Sequence, residues 1–366
     1  MVPIARRNLL SDKVKLLVAV GGVTLAIVLM LVVNSLYQGV RRDTVTFIHS
    51  MPGDIWVMQD GTTDLVFSNS HLPSAAATDI EAIRGVERVT ALNGRLMSFE
   101  VDGKLVRTYV MTLDYLGEPK TGRGSDYVPQ LGRIILDKTF AKQAGLSVGD
   151  PLKWGGEIFQ VSDVRPVGNV LVTQFSFVSA EDFELLFGVP DTVNFLLVTT
   201  DATAEPAAIQ RAIERDVHGS NAVSTDEFAQ SASKNATGDF LPIIRVILTI
   251  SFIVGLAVLS LVIYTATIER AREYAIMKVI GASPLALYRI VLSQSTFIAI
   301  VGFSLGVALA FLFNRVAGDA VPQFVTYIRL KDIGMVFAAT GVMTLAASLL
   351  PLQRIARVEP ASVFRA

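Results

Sequence analysis

The sequence predicts a membrane protein of four transmembrane α-helices, with a large α+β extracytoplasmic domain between helices 1 and 2. Three observations carry that expectation. Apolar runs occur at Val14–Leu36, Leu241–Ile268, Leu285–Phe313 and Ile333–Leu352, each close to or above the roughly 20 residues that cross a hydrocarbon core. A polar stretch of mixed pattern separates the first run from the other three. The composition is intermediate, 51% hydrophobic and 18% charged with a mean hydropathy of +0.50, as apolar spans averaged with a water-soluble segment would give.

Residues 1–13 read as a cytoplasmic or interfacial N-terminus, in which Ile4–Leu10 alternates apolar and basic residues and suits the membrane surface. The first span covers 14–37. Its flank is basic (Arg6, Arg7, Lys13, Lys15), as a signal peptide's would be. The apolar stretch is about 23 residues against the usual 7–15, and no small-x-small cleavage site follows it, so it reads as a retained helix. Residues 38–240 form the outer domain. Residues 241–268 are the second span and a stalk, 269–284 a cytoplasmic loop, 285–313 the third span, 314–332 an outer loop, 333–352 the fourth span and 353–366 a cytoplasmic tail.

Lysine and arginine in the short loops set the orientation. Besides the N-terminal flank, the loop after the second span carries Arg270, Arg272, Lys278 and Arg289, and the tail carries Arg354, Arg357 and Arg365. The expectation is a multi-pass protein of a bacterial inner membrane with both termini cytoplasmic. A net charge of −1, without a basic aromatic stripe, argues against nucleic acid, and the absence of cysteine excludes disulfides and thiolate chemistry.

Within the outer domain, Asp54–Gln59 reads as a strand, Ala77–Arg84 as a short helix, and Leu96–Val101 with Leu105–Val110 as a hairpin across Asp102-Gly103. Strand Asn194–Thr199, helix Glu205–Val217 and an extended piece at Ala222–Ser224 repeat the order. Between them, about 127–180, short runs at Arg133–Leu136, Glu157–Val164 and Leu171–Val178 are parted by glycine turns. That pattern predicts an inserted β-rich subdomain.

The search for chemistry predicts no catalytic, cofactor-binding or metal-binding residues. His49, His71 and His218 are far apart, no G-x-S-x-G elbow occurs, and the outer carboxylates are scattered. No G-x-x-x-x-G-K-S/T loop is present, and the glycine-rich Thr121–Ser125 stretch lacks its lysine. The spans hold little polar chemistry: Arg245 and Asn34 lie near outer ends, Gln294 lies within the third span, and no Asp, Glu, Lys or His sits at mid-membrane. An ion-coupled carrier or membrane-bound enzyme is disfavoured for that reason. Gly302, Gly306 and Ala310 recur at four-residue spacing, which permits close helix approach, either within the chain or to a second copy.

The most specific stretch is Glu269–Arg289. Residues 267–280 read as helix, with Glu269 spaced to pair with Arg272, and Arg270 with Glu273 or Tyr274. Gly281 suits the residue just past a helix end, Ser283 an N-cap, and Pro284 the first position of the next helix. A rigid elbow results. By physics alone it is either a docking surface or a solvated linker.

The segment ERAREYAIMKVIGAS resembles the recurring loop of the MacB/FtsX-like family of ABC permeases, E-R-x-x-E-x-A-x-x-(K/R)-x-(I/V/L)-G-A-S. PIARRNLLSDKVKLLVAVGG is similar to that family's approach to its first span, GLSVGDPLKWGGEIFQVSDV to the β-rich part of its outer domain, and PLQRIARVEPASVFRA to its tail. Gln294 departs from it, since the family often has glutamate there. The resemblance implies a non-enzymatic subunit whose ATPase, with ATP and magnesium, is a separate polypeptide. It also implies a second permease, identical or not, and assistance from a periplasmic adaptor or outer-membrane partner. Membrane lipid would surround the spans. Arg272, Glu273, Met277, Lys278 and Gly281 would then contact the ATPase, within a coupling loop that also includes Glu269, Arg270 and Ser283. Motion would pass along the 241–268 helix, about 42 Å long. The expected function is export or extraction of an amphipathic or lipid-linked substrate; the alternative is an FtsX-like regulator that mechanically activates a cell-wall hydrolase.

Overall fold

The computed structural model describes residues 13–66, 70–101, 104–116, 122–154, 156–170, 173–188, 192–238, 240–320 and 325–357. The interfacial Ile4–Leu10 segment, the Asp102-Gly103 turn, Thr121 and the last residues of the tail lie outside them. The elements begin with α1 (Lys13–Ser50), β1 (Ile55–Gln59), β2 (Leu72–Pro73), α2 (Ala76–Glu81), β3 (Val86–Val101) and β4 (Lys104–Asp114). There follow β5 (Arg133–Asp137), α3 (Lys138–Ala144), β6 (Pro151–Trp154), β7 (Glu157–Arg165), β8 (Asn169–Val170), β9 (Thr173–Val178) and α4 (Ala180–Phe187). Next come β10 (Thr192–Val193), β11 (Phe195–Thr200), α5 (Pro206–Asp216), β12 (Ser220–Ser224) and α6 (Thr225–Gly238). Last come α7 (Leu241–Glu269), α8 (Ala271–Val279), α9 (Pro284–Ala320) and α10 (Leu330–Arg357).

Two compact units result, one comprising Met1–Gln38 with Phe240–Ala366, the other Gly39–Asp239. In the first, α1, α7, α9 and α10 are long and apolar enough to cross a membrane. With every backbone polar group bonded inside the segment, a helix meets the requirement hydrocarbon imposes. Helix α1 buries Ala19, Val23, Ala26, Ile27, Met30 and Leu31, a stripe of helical period, against Ile263 of α7, Ile298 of α9 and Met343 of α10. Its other faces leave Val14, Leu17 and Leu25 exposed, as lipid contact would demand. The helices overrun the predicted spans: α10 begins before 333 and continues past 352, so part of the predicted tail is helical.

The second unit is built on one sheet that holds ten strands among the described residues, in the order β12-β1-β11-β3-β4-β9-β5-β7-β6 with β8 beside β9. Strands β4 and β9, and β5 and β7, run parallel, and the other pairs are antiparallel. The central strands are buried on both faces. Ile55 and Val57 of β1 enter one core with Ile80, Ile209 and Ile213, while Trp56 and Met58 enter another with Phe195 and Phe228. The period-2 alternation of a strand assigns neighbouring side chains to opposite layers.

The stretch 127–180 holds β5 to β9 and continues the main sheet. Its strand β9 pairs with β4, extending the same sheet, and α3 and α4 cover it. A third core of Phe99, Phe140, Phe159 and Phe183 sits there. Asp137 begins α3, accepting the Thr139 amide at 2.7 Å and the Val167 amide at 3.0 Å. The first helix also exceeds its predicted end, continuing to Ser50. Its apolar run ends near Leu36, but Phe47, Ile48 and Met51 are buried in a core of the second unit, and that packing prolongs the helix.

Candidate functional site

The elbow after the second span is the candidate. Helix α7 stops at Glu269, and Arg270, at φ −104° and ψ 13°, separates it from α8. The expected continuous helix over 267–280 is thus broken by one residue. The end of α8 closes as the sequence spacing indicates. Gly281 adopts φ +96°, the left-handed conformation glycine enters without a Cβ clash. Its amide bonds the Lys278 carbonyl at 3.1 Å, and the Ala282 amide bonds the Met277 carbonyl at 2.9 Å. These are the paired closures of a Schellman motif. Ser283 Oγ accepts the Ala286 amide at 3.3 Å as the N-cap of α9, and Pro284 is its first residue.

Helix α8 has two distinct sides. Tyr274 and Ala275 are buried, 4% and 2% exposed. The Tyr274 ring packs in the membrane-unit core with Leu287, Ile290 and Val291, and its hydroxyl bonds the Gln294 side chain. Burial raises the pKa of this phenol, with the Arg270 charge opposing. Outward stand Arg272, Glu273, Ile276, Val279 and Ile280, the last 79% exposed. Apolar residues at i, i+3 and i+4 therefore form a ridge flanked by charge.

The expected residues divide accordingly. Arg272 and Glu273 lie on the exposed side. Met277 does not: it is half-buried against the membrane-unit core. Lys278 is half-buried. Arg270 Nη1 lies 3.6 Å from a Glu273 carboxylate oxygen, as the spacing suggests. Glu269 instead meets Lys15, with Nζ 2.6 Å from Oε2. The helix break at Arg270 takes Glu269 out of register with Arg272. Gly281 and Ser283 shape the turn. The outward Ile276, Val279 and Ile280 and the inward Tyr274 were not singled out from sequence, although apolar residues at helical spacing in a loop between spans are the signal that finds them.

The glycine stripe resolves toward packing within the chain. A Cβ added to Gly302 would come within 2.8 Å of Val23, and one at Gly306 within 2.7 Å of Ile27. Ala310 is fully buried. Gly302 and Gly306 therefore face α1. Among the described residues, no group of three or more His, Cys, Asp or Glu is placed to hold a metal ion.

Four helices long and apolar enough to cross a membrane, with a mixed α/β unit inserted after the first and a capped elbow between the second and third, are the architecture of a multi-pass membrane protein. The chain belongs to the family of the MacB-like periplasmic core domain, matched over residues 16–216, and an FtsX-like permease C-terminal domain is matched over residues 245–360. It is 29% identical over 139 residues to the macrolide export ATP-binding/permease protein MacB of Shewanella sp. (strain ANA-3), covering 38% of this chain and 21% of that protein. The chain therefore spans about a fifth of the length of that relative (21%). It is 19% identical over 332 residues to the putative hemin transport system permease protein HrtB of Staphylococcus epidermidis, covering 91% of both. The solved periplasmic region of MacB from Actinobacillus actinomycetemcomitans aligns over 50% of this chain and 94% of that one, at 11% identity and a TM-score of 0.36.

Proposed function

We propose that the chain is the transmembrane subunit of an ATP-driven transporter, working with a separate ATPase and a second permease to export or extract an amphipathic or lipid-linked substrate. Both termini and the elbow face the cytoplasm, and residues 38–240 face outward. The observation that carries the reading is the two-sided α8. Tyr274 and Ala275 are anchored inward while Ile276, Val279 and Ile280 stand exposed between spans. Exposed branched side chains rimmed by Arg272 and Glu273 suit an apolar cleft with a polar edge on a partner protein. Force applied there would reach α9 through the Tyr274–Gln294 bond and the shared core. Relatives named for macrolide export and hemin transport favour transport over activation of a hydrolase.

Co-purification of the ATPase with charge-substituted elbows tests this. Ile276→Asp with Ile280→Asp should abolish recovery of the ATPase, and reversal of Glu273 and Lys278 should weaken it. Full recovery of the ATPase with the double-aspartate variant would remove the basis for docking at α8.

A further inference from the structure

The external unit contains a cleft of about 400 Å³, within the range of small-molecule sites. Tyr109 and Phe183 line it as buried rings, with Phe187 beside them, and its polar side chains include Arg95, His71, Asn93, Thr192 and Asn194. No acidic residue is among the lining groups. The Asp64 carboxylate that acts on Tyr109 is itself buried and accepts the Val66 amide at 3.0 Å.

Two local features shape the cleft. Gly94 faces Tyr109, and a Cβ at Gly94 would overlap the phenol ring. Only glycine leaves room for the ring to lie across β3 at that point. Beside it, the Arg95 guanidinium is held 5.3 Å from the Phe187 ring centroid, a cation–π geometry that orients the fork without neutralising it. Among the described residues, no carboxylate lies within ion-pair distance of Arg95. The asparagines are committed to the walls: Asn194 Oδ1 accepts the Gly94 amide at 2.9 Å, its Nδ2 donates to the Ser70 carbonyl at 2.8 Å, and Asn93 Oδ1 accepts the Asn194 amide at 2.9 Å.

We propose that this cleft binds an amphipathic organic anion, its flat apolar body against Tyr109, Phe183 and Phe187 and its carboxylate on Arg95. A guanidinium already fixed over a ring pairs a planar carboxylate with little ordering cost. The site is independent of the docking reading, since it needs neither ATPase nor a second permease.

The tryptophans supply a readout. The chain has two: Trp154 lies 5.5 Å from Phe187 and Trp56 lies 5.7 Å from Phe195, ring centroid to ring centroid, and both phenylalanines line the cleft. Dansylglycine, a carboxylate whose ring system accepts energy from indole, is titrated into the full chain in lipid nanodiscs. Neutral dansylamide is the control for partition into lipid. Saturable transfer is expected with dansylglycine and not with dansylamide. The exposed Arg95→Gln should weaken binding about tenfold, as loss of a charge-assisted contact would, and Arg95→Lys should weaken it less. Equal transfer from both probes, no saturation, or an unchanged titration in Arg95→Gln would overturn the assignment. A null result here leaves docking at α8 untouched, because the purified chain alone is used.

Discussion

Lys15 and Glu269 are 254 positions apart, yet Lys15 Nζ lies 2.6 Å from a Glu269 carboxylate oxygen. The contact ties the start of α1 to the end of α7, immediately before the break at Arg270. Its side chains are 36% and 56% exposed, so solvent screens the attraction, and an exposed pair contributes about 0.2–1 kcal/mol. Alanine at either position should lower thermal stability in detergent slightly, with a double-mutant coupling below about 1 kcal/mol. A coupling of several kcal/mol would mean that the pair is desolvated rather than screened.

The approach of α9 to α1 should tolerate little added volume. Leucine at Gly302 or Gly306 meets Val23 or Ile27 and the α1 backbone, and overpacking of this kind costs about 1–3 kcal/mol. Gly341→Ala, with no atom within 4 Å of the added Cβ, is the control. Unfolding midpoints that do not distinguish these variants would place the stripe elsewhere than between α1 and α9.

Tyr274→Phe keeps the ring and removes the hydroxyl. Gln294, 3% exposed, then loses a partner inside the bundle. An orphaned buried amide costs about 1–3 kcal/mol, so this variant should melt earlier, and Tyr274→Phe combined with Gln294→Leu should recover part of the loss. No recovery in the pair would show that the bond does not anchor α8.

Asp137→Ala should loosen the sheet's far half. The carboxylate is 4% exposed and serves both the Thr139 and Val167 amides. Removing a cap together with a second buried acceptor costs about 2–3 kcal/mol. Hydrogen exchange should rise in α3 and near Val167 before it rises in α5. Uniform exchange across the unit would contradict that local role.

Alkaline titration follows from Tyr109. Burial, reinforced by Asp64, pushes its phenol from the ordinary 10.0 up to about 12. A folded pKa above the unfolded one gives stability that is fully present below pH 10.0 and lost as pH rises through about 12. Tyrosinate absorbance should show a late-titrating component to which Tyr109 contributes beside the buried Tyr115 and Tyr274, and Tyr109→Phe should reduce it by one phenol. An unchanged titration in the variant would show that another tyrosine is responsible.

Legibility followed the range of the interactions involved. The strands near Ile55, Arg133, Glu157 and Phe195 and the helix at Pro206 were readable because alternation and capping are local. Helix α6 was missed: its sequence is polar, and only burial of Phe228, Ala229 and Ala232 under the sheet makes its face apolar. The continuation of α1 to Ser50 was hidden by Arg41, Arg42 and Asp43, which end the apolar run without ending the helix. At the elbow, the turn residues were readable and the outward face was not. Met277, expected at the contact, is half-buried against the core.

Read alone, the amino-acid order was enough to place the four apolar helices, the α/β insertion between the first and second of them, and the Gly281–Ser283–Pro284 turn. Transfer into lipid and backbone sterics act segment by segment, so their outcome is written locally. Tertiary contact alone decided that Gly302 and Gly306 meet α1, that Ile276 and Ile280 stand outward, and that Arg95 lies over Phe187 beside Tyr109. Each of those depends on which distant segments share a core, and no short window of sequence contains that choice.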